Sequence, residues 1–136
     1  MTSTVGRGDI SGSSVGIVMR SGKLTVSNID VHDNQGGIYS PILDIRITLT
    51  NVTANDNTGN GIRGGDVRAT SVTTNGNGAA GIVAEPGKFR GTNITANDNG
   101  GAGIVAGRGV SASNLVATGN GTGGPNSGGS GVSSFG

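Results

Sequence analysis

The 136-residue chain contains no cysteine, which excludes disulfides and any thiolate zinc site and leaves the redox compartment open. It has no tryptophan, one tyrosine and two phenylalanines, and apolar residues make up only 32% of it. A compact core of bulky side chains cannot be assembled from that stock. Charge is scarce too, at 12% of residues with a formal net charge of +1. Bulk electrostatics will not hold a nucleic acid, and no nucleic-acid partner is expected. No apolar run reaches the length of a membrane-spanning helix, so no membrane insertion is expected. No basic, then apolar leader precedes the first glycines, and the expectation is that this stretch carries no signal peptide.

What the chain has instead is glycine, 29 residues of it, about three times ordinary usage. A disordered linker would share that composition. It would not share the near-zero net charge or the regular placement of Val, Ile and Leu. The regularity is a repeat. An Asn or Ser, an apolar residue beside it and a second Asn six positions on recur at Asn28, Asn51, Ser71, Asn93 and Asn114. These anchors lie 23, 20, 22 and 21 residues apart. A Gly-Ile pair keeps the same register at Gly16-Ile17, Gly37-Ile38, Gly61-Ile62, Gly81-Ile82 and Gly103-Ile104.

Within each unit apolar residues alternate with polar ones, the period of a strand with one buried face. Leu24, Ile47, Val67, Phe89 and Val110 stand four before the anchor, and Ile29, Val52, Val72, Ile94 and Leu115 stand one after it. The parity of the inward positions switches at the anchor, so the chain bends there. A helical solenoid is excluded because Gly, costing about 1 kcal/mol relative to Ala, would interrupt every helix. Leucine-rich repeats fail for lack of leucine. The expected fold is all-β: a right-handed parallel β-helix, a three-sheet solenoid of about five to six coils stacked at about 4.8 Å. Each coil is read as three short strands and three corners. Residues 1–15 are expected as an irregular lead-in or partial first coil, 16–120 as the coils, and 121–136 as a Gly/Ser-rich tail or incomplete last coil anchored by Val132 and Phe135.

Gly and Asn reach positive φ most readily, which suits the corners. Asn stacked on Asn can donate its amide one way and accept from the other, satisfying polar groups coil after coil. The column Asn34, Asn57, Asn77, Asn99 and Asn120 is the first candidate for such a ladder, and the anchor column is the second. This Asn-x5-Asn…Gly-Ile unit resembles the repeat of the pectin-lyase-like superfamily over residues 16–120. That resemblance implies the right-handed three-sheet helix and favours an extracellular or cell-surface setting. It leaves function open among lyases, hydrolases, epimerases, tailspikes, adhesins and non-catalytic coils.

The family's paired-Asp, Gly-His-Gly, Arg-x-Lys and Asp-Pro-His signatures do not occur. The local cluster of Asp30, His32, Asp33 and Tyr39, with Asp44 and Arg46 entering the next coil, holds acid and base groups suited to β-elimination or epimerisation of an acidic sugar. His32, Tyr39, Asp30 and Arg46 are its catalytic candidates. Decoration of a solvated corner is the preferred reading of the same residues. Asp33 and Asp56 share a column and, with nearby amide oxygens, are the candidates for Ca²⁺, although no cofactor is the first expectation. Lys23, Arg46, Arg68, Lys88, Arg90 and Arg108 form the candidate binding set, a basic stripe able to follow an acidic polysaccharide. Outward charge that merely keeps the chain soluble is the competing account.

Rows of Thr and Ser one and three before the anchor are like ice-binding faces only in part, since Arg68, Arg90 and Ser111 interrupt them. Arg7-Gly8-Asp9 and the Asn-x-Ser/Thr sequons at Asn51, Asn93 and Asn120 are read as chance in so repetitive a sequence. The expected function is a non-catalytic module that binds carbohydrate or a repeating surface through outward polar and basic columns. The alternatives are a small polysaccharide lyase or C5-epimerase and a structural or assembly solenoid. Exposed coil ends make a homo-oligomer an expected partner.

Overall fold

The computed structural model describes residues 2–121 and 131–134. The described residues are all-β, without a helix. Twelve strands alternate between two six-stranded parallel sheets. The long-strand sheet contains β1 (Thr2–Ser11), β3 (Lys23–His32), β5 (Arg46–Thr53), β7 (Asp66–Thr73), β9 (Phe89–Thr95) and β11 (Val110–Val116). The short-strand sheet contains β2 (Val15–Val18), β4 (Gly36–Tyr39), β6 (Ile62–Gly64), β8 (Ile82–Ala84), β10 (Ile104–Ala106) and β12 (Val132–Ser134). Every neighbouring pair is parallel and in the register of the repeat, with Leu24 opposite Ile47 and Ile47 opposite Val67. The molecule is a parallel β-solenoid of about five turns.

The three strands expected per coil are resolved as two, because one of them is bent. Asn28, Asn51, Ser71, Asn93 and Asn114 all have φ between 52° and 56°. That left-handed residue turns each long strand through a corner without breaking its ladder, so its two arms supply two faces of the coil. The parity switch follows: Leu24 and Val26 point inward before the bend, Ile29 and Val31 after it, all 5% exposed or less. Inside, like residues stack as Ile38, Ile62, Ile82 and Ile104. Where Phe89 enters the file, the residue two further on is Gly91, and a Cβ there would strike the Phe89 ring at 2.7 Å.

The first coil is complete. Residues 1–15, expected as a lead-in or partial coil, contain β1, which pairs with β3 from Thr2 opposite Lys23 to Ser11 opposite His32. Arg7 takes the anchor position with φ 54°. At the other end β12 pairs with β10, Ile104 opposite Val132. The rest of the expected tail, 122–130 and Phe135, lies outside the described residues.

Asn34, Asn57, Asn77, Asn99 and Asn120 form the ladder, each 5% exposed or less. Asn77 shows its wiring. Its Oδ1 accepts from Asn57 N at 3.1 Å and Asn57 Nδ2 at 3.0 Å. Its Nδ2 donates to Asn99 Oδ1 at 2.9 Å and to the Ala54 carbonyl at 2.9 Å. No polar atom of the buried amide is wasted. The Gly of each Gly-Ile pair is required by this ladder rather than by its own φ: a Cβ on Gly81 would lie 2.9 Å from Asn99 Nδ2 and 2.6 Å from the Gly103 carbonyl. The corner leading from the short-strand sheet to the next long strand differs in size between coils, with residues 40–45 between β4 and β5 but only Gly65 between β6 and β7.

Candidate functional site

The catalytic candidates are distributed over three faces. His32 ends β3 beyond the bend, with Nδ1 2.7 Å from Asp33 Oδ2 and Nε2 3.1 Å from Asp9 Oδ1. Asp9 belongs to the preceding coil and was not among the expected partners. Its signal was available in the sequence: Thr4-Val5 and Asp9-Ile10 match Thr25-Val26 and Asp30-Val31. Hydrogen bonds to Asp33 and Asp9, supported by the charges of Asp9 and Asp30, raise the His32 pKa above 6.5. Asp30 is exposed beside Asp9 in the sheet. Tyr39 lies on the short-strand sheet, where the Arg63 guanidinium sits 5.9 Å from its ring centroid. Arg46 opens β5 before its bend, with Nη2 3.5 Å from Asp66 Oδ2. Each candidate is thus engaged by its own neighbour rather than by the other three.

The column of Asp33 and Asp56 has φ near +53° throughout and alternates with glycine at Gly12, Gly76 and Gly119. Asp33 turns toward His32. The Asp56 carboxylate occupies the space where a side chain on Gly76 would begin, and Asp98 does the same over Gly119. Glycine in this file gives each folded-over carboxylate its room. Among the described residues no three His, Asp or Glu side chains are grouped as metal ligands.

The six cations divide into two sets. Lys23 and Arg46 stand opposite each other in the column that continues to Asp66. The Asp66 carboxylate accepts from the Lys88 backbone N–H at 2.9 Å and also faces Arg46, and these hold its pKa below the ordinary value. At 3.5 Å and about two-fifths exposed, the Arg46–Asp66 pair is a surface contact worth under about 1 kcal/mol, but it places a carboxylate in the stripe. Arg68 and Arg90 are opposite each other two residues further on, both exposed and without an ion pair among the described residues. They border a shallow groove with Thr70, Thr92, Ser111 and Ser113. A second depression, sharing Arg90 and Ser111, adds Lys88 and Arg108. The two form one cationic trough over β7, β9 and β11, and no acid lines either part.

A further polar row was not read from the sequence. Asn55 Oδ1 accepts from Asn75 N at 2.7 Å, Asn75 Oδ1 from Asn97 N at 2.9 Å, and Asn97 Oδ1 from Thr118 N at 3.0 Å. Each is half-buried or exposed, so this row closes the outer side of the corner whose inner side is the buried ladder. No protein-family model, curated protein or solved structure matches the chain. Architecture and ladder therefore define its class, a parallel β-solenoid.

Proposed function

We propose that the chain is a non-catalytic module that binds an acidic polysaccharide along the trough over β7, β9 and β11. The observation that carries this reading is the joining of Arg68, Lys88, Arg90 and Arg108 in one depression with no lining carboxylate. Parallel strands repeat these cations at about 4.8 Å, close to the length of a sugar unit, so successive carboxylates of one chain meet successive coils. Guanidinium groups suit carboxylates because they offer paired N–H donors in one plane. The hydroxyls of Thr70, Thr92, Ser111 and Ser113 supply donors and acceptors for the sugar. The resemblance of the repeat to pectin-lyase-like coils agrees with a polysaccharide ligand.

Titration calorimetry with polygalacturonate, alginate and neutral dextran tests this. The two acidic polymers are expected to bind, more weakly as salt rises, and dextran is not. Two exposed charge contacts of about 0.5–1 kcal/mol each make the double variant R68A/R90A about tenfold weaker, whereas K23A stays unchanged. Equal binding of dextran, or an R68A/R90A variant with full affinity, overturns the reading. Release of unsaturated sugar from either polymer would establish a lyase instead.

A further inference from the structure

We propose that copies of this chain join head to tail, β11 of one copy pairing in parallel with β1 of the next, to form a filament with continuous coils. The partner is a second copy of the chain, and the surface is the pair of open edges of the long-strand sheet. In the sheet order β1 and β11 are terminal, each with one side of its backbone unpaired within the sheet. Every coil repeats the one before it in the same register. The free side of β1 is therefore complementary to the free side of β11 in its sequence of donors and acceptors, as β3 is to β1 inside the chain. The backbones also agree at the bend, where Asn114 has φ 52° and Arg7 has φ 54°.

The inward side chains match in size. In the register that continues the repeat, Val110 meets Ser3, Ala112 meets Val5, Leu115 meets Gly8 and Ala117 meets Ile10. Each pair sets a large residue against a small one, so the layers interlock without clash or void. None of the eight carries a charge, the device that usually keeps sheet edges apart. Their exposure fits a surface that is finished by a neighbour: Val110, Leu115, Val5 and Ile10 pack against the core yet are only partly buried, and Ala112 is exposed. Because the two edges differ, the contact is heterologous and does not close, which produces a rod rather than a dimer. This inference does not depend on polysaccharide binding.

Sedimentation velocity over a concentration series tests it. The wild-type chain is expected to form a ladder of species in multiples of 13.2 kDa, lengthening with concentration. V5K blocks only the leading edge and A112K only the trailing edge. Each alone is expected to be monomeric, while their mixture gives a 1:1 dimer and nothing larger, a result that also shows both variants folded. A wild-type chain that stays monomeric throughout the series overturns the proposal. So does dimerisation of V5K or A112K alone, which would mean that like edges pair.

Discussion

Replacing Asn77 by Ala removes one rung from the buried ladder and should be far more damaging than the loss of one surface amide. Four hydrogen bonds disappear. Asn57 Nδ2 keeps its bond to the Val31 carbonyl at 3.1 Å, and Asn99 Oδ1 still accepts from Asn77 N at 3.1 Å. The Asn57 N–H and the Ala54 carbonyl, however, lose the partners that Asn77 provides. An unsatisfied buried group costs about 1–3 kcal/mol, so two of them amount to about 4 kcal/mol. That is a large part of the ~5–15 kcal/mol stability of an ordinary domain and corresponds to a fall in Tm on the order of 10 °C. Urea denaturation followed by circular dichroism gives the magnitude, and amide exchange at Asn57 reports the orphaned donor. The control is N75A, at a half-buried position in the outer row, where water can replace the lost acceptor and the loss should stay below about 1 kcal/mol. An N77A loss no greater than that of N75A would refute the account of the ladder.

Four other perturbations follow from the same geometry. G81A drives a methyl toward Asn99 Nδ2 and the Gly103 carbonyl and should cost about 1–3 kcal/mol by overpacking, read by thermal melting. S71N should stabilise by about 1 kcal/mol, because Ser71 holds φ 55°, where Asn is less strained, and it interrupts a column otherwise bonded at Asn51–Asn28 and Asn114–Asn93. T74V removes a buried hydroxyl without a partner among the described residues and should gain about 1 kcal/mol in urea midpoint analysis. With its folded-state pKa raised by Asp33 and Asp9, His32 binds a proton more tightly folded than unfolded. Its stabilisation is fully present below about pH 6.5 and is lost as pH rises through the raised value. Melting temperature followed against pH should show this decline in the wild type and lose it in H32N; an identical profile in both would remove the role of His32 in joining the first two coils.

Where the sequence repeats a residue type in every coil, the structure could be read in advance. The inward files, the bend at the anchors and the Asn34–Asn120 column belong to this group, because stacking forces one position of each coil onto the same position of the next. Positions that change identity between coils were harder. Arg7 gave no hint of an anchor, since Arg seldom takes positive φ, and the first coil and the Asp9–His32 contact were hidden with it. The outer row was masked because only Asn55, Asn75 and Asn97 share it, with His32 and Thr118 on either side. Among the cations, sequence gave the columns but not which charges are neutralised. That depends on Asp66 reaching across to Arg46, a rotamer choice no spacing reveals.

The unequal corner between the two sheets has a practical consequence. Six residues always separate an anchor from its ladder asparagine, so that side of each lap is fixed to the residue. The chain from Tyr39 to Arg46, by contrast, swells into solvent with Ile42 and Leu43 about half exposed, and the laps above and below keep their alignment. Evolution or an engineer can therefore splice foreign peptide at this vertex in any lap, mounting inserts side by side at the pitch of the strands on a rail that does not deform.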